Sequence, residues 1–261
     1  MKHIITIVTI LLALACAGCA KQAKSESTGE EEIYVTNIYN LVILDQSGSM
    51  TFLREAAFCG YNGTLDVIRS AQEQHGLEQQ NFVSLTLFNW YITEVFDCDS
   101  IQNVPYLLWD DYFPNGGTAM LDGIGISLTS LQHNLDTLDN ATAIVTIISD
   151  GLENASEKYS HEQVVDMIDK LKKQGVMFVF MGTDIDVARV ASSLHIDEYK
   201  VFENTTEGMN EAWATSMKAS HGYYNRMAEY NKNTRNMTKE QRNAYFRDKN
   251  KENGWFERTK K

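Results

Sequence analysis

Three short stretches carry side chains whose types and spacing suit a hard cation. In "LVILDQSGSM", residues 41–50, four apolar residues run into Asp45, and Ser47 and Ser49 follow on alternate positions around Gly48. In "FPNGGTAMLDG", Gly116 and Gly117 allow a tight turn just ahead of Thr118. In "AIVTIISD", an apolar run ends on Asp150. Asp45, Ser47, Ser49, Thr118 and Asp150 all offer oxygen and none offers nitrogen or sulfur. Such donors fit Mg2+ above all, with Mn2+ or Ca2+ as alternatives. Taken alone, Asp-x-Ser-x-Ser after a strand would serve equally well as a helix cap.

The five residues form a set only if the fold gathers them. From residue 33 onward, short apolar runs alternate with helical patterns. Strands are predicted at 40–45, 82–88, 91–96, 143–150, 176–184 and 199–202, with helices at about 64–79, 119–138, 161–174 and 185–194. Ser160 and Gln163 make a capping box at the start of the third helix, and Gly175 closes it. Only Asn89 and Trp90 separate the second and third strands, too few residues for a parallel crossover, so that pair is antiparallel. The pattern is that of a doubly wound α/β fold. It has a mainly parallel six-stranded sheet, one antiparallel edge strand and helices on both faces. In the strand order 3-2-1-4-5-6, ligands bind beyond the carboxyl ends of strands 1 and 4, where the order reverses. Strand 1 ends at Asp45 and strand 4 at Asp150, so the two aspartates are expected to meet at that crevice.

"DQSGS", Thr118 in "GGT" and "SDG" together resemble the three parts of the metal-ion-dependent adhesion site of von Willebrand factor A (vWA) domains, over roughly residues 37–215. The continuation "DGLENASEKYS" is similar to a group of bacterial members of that family. The resemblance implies that Ser47 and Ser49 bind the metal directly, and that Thr118 binds it directly or through water. It implies that Asp45 and Asp150 act mainly through water and hydrogen bonds. An ion ringed by neutral hydroxyls and water stays electron-poor and favours one more anionic oxygen, typically the Asp or Glu carboxylate of a protein partner. Asp122 and Glu153 lie near the crevice in sequence, either tuning its charge or simply solvated. Trp109, Tyr112 and Phe113 could form a contact rim or pack in the core.

The amino-terminal stretch "MKHIITIVTILLALACAGC" has Lys2 and His3, an apolar run over 4–15, then small residues and cysteine. It has the layout of an export signal and resembles a bacterial lipoprotein signal, with Cys19 as the lipid-modified residue. Cys16 stands where that pattern usually has leucine and is a weaker candidate; a plain secretory signal is the alternative. The expected organisation is a lipoprotein signal at 1–18, a flexible spacer at 19–36, a vWA domain at 37–215 and a basic helical extension at 216–261. This implies a cell-envelope protein, held to the membrane by a lipid anchor and facing the periplasm or the exterior. Cys59 and Cys98 remain as either a disulfide or two free thiols.

The net charge of −12 argues against a nucleic-acid partner. Residues 218–261 nevertheless carry twelve Lys and Arg against five Asp and Glu. That end reads as a solvated helical tail, or as a contact for an anionic surface or for the acidic domain itself. "HEQVV" has valine at position 165 where a zinc protease needs histidine, and "GIG" at 123–125 lacks the third glycine of a dinucleotide loop. Three function classes follow. The first is a non-enzymatic, metal-dependent protein-binding module. The second is a scaffold or chaperone-like subunit whose metal is mainly structural. The third is a metal-assisted phosphohydrolase, disfavoured because Ser47 stands where a second catalytic Asp is expected and no general base is evident.

Overall fold

The computed structural model describes residues 34–183 and 187–256. Six strands, β1 (Thr36–Asp45), β2 (Gln79–Phe88), β3 (Ile92–Ser100), β4 (Ala141–Ser149), β5 (Met177–Thr183) and β6 (Glu198–Phe202), make one sheet in the order β3-β2-β1-β4-β5-β6. Every neighbouring pair is parallel except β2–β3. β1 and β4 are the central strands, and all nine residues of β4 are buried. Alternation along β1 divides the core into two layers. Ile38, Val42 and Leu44 face α1 (Arg54–His75) and α5 (Thr206–Thr234). Tyr39, Leu41 and Ile43 face α2 (Met120–Thr137), α3 (His161–Lys173) and α4 (Val187–Ser193).

α1 begins at Arg54 instead of near residue 64, because tertiary packing outweighs local propensity there. Gly60 and Gly63 interrupt the helical pattern in the sequence, yet both sit inside the helix where α5 crosses it. A Cβ on Gly60 would fall 2.2 Å from the Trp213 ring, and one on Gly63 would fall 2.5 Å from Met217 Cε. The glycines are the groove into which α5 fits.

The boundary expected between 215 and 216 falls inside α5, which runs through it unbroken. Over the described residues, the basic end packs on the domain and is not a solvated tail. Tyr223, Tyr224, Met227, Phe246 and Trp255 are buried in the same layer as α1. Polar contacts then fix the register. Tyr224 Oη donates to Asn40 Oδ1 at 2.7 Å, Gln79 Nε2 donates to the Tyr224 carbonyl at 2.6 Å, and Asn231 Nδ2 donates to the Glu78 carbonyl at 3.0 Å. α6 (Lys239–Asn253) follows and grips the loops below β4 and β5. Lys239 Nζ donates to the Leu135 carbonyl at 2.9 Å, Asn250 Nδ2 donates to the Gly175 carbonyl at 2.8 Å, and the buried Arg242 donates to the Asp139 carbonyl. Lys239 and Arg242 here serve backbone carbonyls. These contacts lie at the amino ends of the strands, the pole opposite Asp45 and Asp150.

Cys59 and Cys98 are both free thiols, Cys59 exposed on α1 and Cys98 partly buried on β3. Cys19, the signal-like segment at 1–18 and most of the 19–36 spacer lie outside the described residues. No described helix is long and apolar enough to cross a membrane.

Gly60→Ala tests the α1–α5 contact, because two effects of opposite sign compete. Helix propensity would favour alanine by about 1 kcal/mol, whereas overpacking against a buried ring costs about 1–3 kcal/mol. With Trp213 only 2% exposed, it has nowhere to move, so the variant should be less stable in urea unfolding. An unchanged or higher midpoint would mean that α5 does not seat there.

Candidate metal centre

The parallel register sets the two aspartates side by side. Leu44 pairs with Ile148, so Asp45 stands level with Ser149 and one residue short of Asp150. Asp45 is fully buried and both of its oxygens are engaged. Oδ1 accepts from the Ser47 N–H at 2.7 Å, and Oδ2 accepts from Ser149 Oγ at 2.5 Å. Tyr112, also buried, donates from its hydroxyl to the Asp45 carbonyl at 2.6 Å. The chain then turns into a short 3₁₀ segment, Gly48–Leu53, that brings Ser49 back over Ser47. Ser47 Oγ and Ser49 Oγ are 3.1 Å apart, and Ser49 Oγ donates to Asp150 Oδ1 at 2.6 Å.

Thr118 joins from the second loop. Gly48 N–H donates to the Gly116 carbonyl at 3.1 Å and Asn115 N–H to the Gln46 carbonyl at 2.9 Å, zipping this loop to the first. Gly116 takes φ +82°, a conformation open to glycine, and the Trp90 ring lies against Gly116 and Gly117 so closely that no side chain fits. A methyl-sized atom on Gly151 would lie 3.4 Å from Thr118 Oγ1 and 3.6 Å from Ser49 Oγ. Both hydroxyls therefore face the same small space beside Asp150. Ser47, Ser49, Thr118 and Asp150 thus gather around it, and Asp45 stands behind them, tied to the Ser47 backbone.

Neither Asp122 nor Glu153 is solvated, and neither faces the centre as a free charge. Asp122 is buried and accepts backbone N–H groups from Glu157, Lys158 and Tyr159 at 2.8–2.9 Å. Glu153 accepts from the N–H groups of Leu121, Ala155 and Ser156 and from Ser156 Oγ at 2.7–2.9 Å. Together they staple the loop after β4 to the start of α2. Asn154 completes the tie, its Oδ1 accepting from Thr118 N–H at 2.9 Å. Of the three aromatic residues, only Tyr112 is core; Trp109 and Phe113 are exposed and hold Arg54 between them, its guanidinium 4.0 Å and 5.3 Å from their ring centres. Sequence reasoning gave no role to Arg54 or Trp90, and neither belongs to a recognisable motif.

The electrostatics favour a cation. Burial pushes Asp45 up to about 6, further raised by the charge of Asp150 and opposed by the hydrogen bonds from Ser149 and Ser47. Burial likewise raises Asp150, opposed by Ser49. Asp150 Oδ2 is buried with no hydrogen-bond partner, an arrangement that is costly unless something else satisfies it. Among the described residues, no three His, Cys, Asp or Glu side chains group to hold an ion, so the donors here are two carboxylates and three hydroxyls. Neighbouring oxygens on an octahedral Mg2+ at about 2.0–2.1 Å would be roughly 2.9 Å apart, against about 3.3–3.7 Å around Ca2+. The 3.1 Å between Ser47 and Ser49 lies between the two and is compatible with either ion. The residues present fit the group.

No family model matches the chain, and no curated protein matches it in sequence. Solved structures do match. The pilus adhesin SpaC of Lactobacillus rhamnosus GG, in its open conformation, aligns with a TM-score of 0.57 and 12% identity, over 73% of this chain and 30% of that one. The PilB minor pilin of Streptococcus sanguinis aligns at 0.52 and 11% identity, over 75% of this chain and 62% of that one. A von Willebrand factor type A protein from Catenulispora acidiphila aligns at 0.49 and 16% identity, over 72% and 43%. The chain thus spans 30–62% of the length of these proteins. The likeness to the two pilus proteins is one of fold, and the architecture is a doubly wound α/β fold with one antiparallel edge strand.

A sign follows for pH dependence. Asp45 has a folded value above its unfolded one, so its contribution to stability is complete below about pH 4 and is lost as pH rises through about 6. The loss at neutral pH is on the order of 3 kcal/mol. In EDTA, Tm should fall across this window, and Asp45→Asn should raise Tm at neutral pH. Added Mg2+ should raise Tm of the wild type above pH 6 but not that of the variant. A Mg2+ effect equal in both proteins would remove Asp45 from the site.

Proposed function

We propose that this protein is a metal-dependent protein-binding module, not an enzyme, held by a lipid on Cys19 in the cell envelope. On this reading it captures an Asp or Glu carboxylate of a partner through a divalent cation. The carrying observation is the convergence of Ser47, Ser49, Thr118 and Asp150 on one space, with Asp45 behind them and Asp150 Oδ2 left without a partner. Ser47, Ser49 and Thr118 would hold Mg2+, or in its place Mn2+ or Ca2+, through neutral hydroxyls. When bound, the ion supplies an electron-poor position for an outside anionic oxygen. Asp45 orients Ser47 through its N–H and remains occupied by Ser149, so it offsets charge without closing the position. Asp150 accepts the hydrogen bond from Ser49 Oγ, and Ser47 Oγ is then the donor to Ser49, which leaves one Ser49 lone pair for a cation.

Binding is favoured over phosphohydrolysis by what surrounds the centre. Asp122 and Glu153, the acidic side chains on the adjoining loop, are saturated by N–H and O–H donors and are not poised as bases. The adhesin and pilin named in the solved structures share the fold and lend the binding reading general support. A scaffold role with a structural metal draws on a different observation. The cation would also tie three loops and relieve the buried charge of Asp45.

Isothermal titration of the purified protein with Mg2+ and Mn2+ should report one site, weakened by about tenfold or more in Ser47→Ala. Pull-downs from the native envelope should recover a partner with wild type, and lose it with EDTA or with Ser47→Ala. Partner capture that survives EDTA while the metal site titrates normally would transfer the metal to the scaffold role. No metal binding at all would end both readings.

A further inference from the structure

Beside the metal centre, at the carboxyl ends of β4 and β5, lies a half-open cavity of about 170 Å3. Leu152, Phe180, Val187 and Val190 supply its apolar walls, and Asp150 and Gly151 form the edge it shares with the centre. Val187 and Val190 are three apart on α4 and so project from one face of that helix. Phe180 and Val187 are buried and fixed by the core, whereas Leu152 is 51% exposed at the mouth. An apolar cavity of about 150 Å3 is large enough for a benzene ring, so this one has room for a leucine, isoleucine or phenylalanine side chain.

Resting on the metal-binding reading of this site, we infer that the cavity is a second subsite. It takes an apolar side chain lying one or two residues from the partner's metal-bound carboxylate. The spacing follows from the sheet. The five oxygens sit over the ends of β1 and β4, and the cavity sits over the ends of β4 and β5. The two are therefore about one strand separation apart, roughly 4.8 Å. Along an extended chain, alternate residues share a face and advance about 6.6 Å, while a neighbour, about 3.3 Å on, reaches that face only where the segment turns. That interval brackets the separation. The partner is then a protein segment with Asp or Glu next to, or one removed from, a Leu, Ile or Phe.

The surroundings support the same occupant. Phe52 lies three residues beyond Ser49 in the 3₁₀ turn, where such side chains eclipse, and it is 89% exposed. Trp90 presents its free surface beside Thr118, over Gly116 and Gly117. Each loop that supplies a metal donor thus has a large apolar side chain on its outer face or against it. Such a rim excludes water from a docked carboxylate and strengthens its attraction to a cation. A glycan would find rings to stack on, but no use for a cavity walled by valines and a leucine.

The test is selection of a displayed library of random linear peptides on the full chain in Mg2+, with elution by EDTA. Enriched peptides should carry Asp or Glu with Leu, Ile or Phe one or two positions away. Replacing that apolar residue by serine should weaken binding to the wild type by about tenfold or more. The same replacement should cost little on Val190→Trp, which fills the cavity, and an intermediate amount on Leu152→Ser, whose exposed position tolerates change. Mg2+ titration of each variant reports that the centre itself is intact. Acidic, EDTA-sensitive peptides that are indifferent to the apolar residue would overturn the subsite and leave the metal reading standing. Apolar peptides that bind equally in EDTA would separate the cavity from the metal and overturn the coupling. Peptides with neither acidic residues nor Mg2+ dependence, or glycans that bind where peptides do not, would remove the metal reading itself.

Discussion

Two carboxylates at the ends of adjacent central strands, one fully buried, are the constraint around which this molecule is arranged. Water would ordinarily stabilise such charges, and here it is largely excluded from Asp45. The chain substitutes donors of its own. A backbone N–H and a hydroxyl hold Asp45, and a second hydroxyl holds Asp150. The substitution is incomplete, since Asp150 Oδ2 has no partner and both groups remain harder to ionise than in water. Incomplete compensation of this kind marks functional sites, because structure alone would be better served by apolar residues at these strand ends.

Holding three loops over that charge requires a rigid base, and the base is made at the other pole. α5 lies along α1 through the Gly60 and Gly63 groove, and α6 closes the loops beneath β4 and β5. Ties there to backbone carbonyls, to core aromatics and between Thr36 and Asn231 lock the amino ends of the strands in register. The carboxyl ends inherit that register. A shift of one residue between β1 and β4 would separate Asp45 from Ser149 and turn Asp45 to the other face of the sheet. The basic carboxyl-terminal segment thus supports the site from the far end without touching it.

Much of this was legible in the sequence because strands covered on both faces are continuous apolar runs, and because ligand residues cluster at their ends. The six strands and their order follow from that regularity. What was illegible depends on contacts between distant segments. α1 could not be extended through Gly60 and Gly63 without knowing that Trp213 and Met217 sit over them. The aromatic stripe of α5 looked like an appendage because its partners Asn40 and Gln79 are 184 and 145 residues away. Asp122 and Glu153 read as surface charge, since nothing local announces that seven donors on neighbouring loops converge on them.

The choice of hydroxyls over carboxylates at the centre has a consequence for what it can bind. A cage of three or four carboxylates would hold a divalent ion tightly and cancel its charge, leaving nothing for a partner to recognise. Here the carboxylate of Asp45 is turned to Ser47 N–H and Ser149 Oγ, so its charge reaches the site from a distance. Ser47 and Ser49 present neutral oxygens 3.1 Å apart, enough to seat a small ion but not to saturate it. On the proposed metal-binding reading, affinity for the ion would thereby be traded for affinity at its open face, and the last ligand would come from another molecule. Selectivity for that molecule cannot come from the carboxylate, which any acidic residue provides. It has to come from the walls around it, which is where Phe52, Trp90, Leu152 and the cavity between β4 and β5 lie.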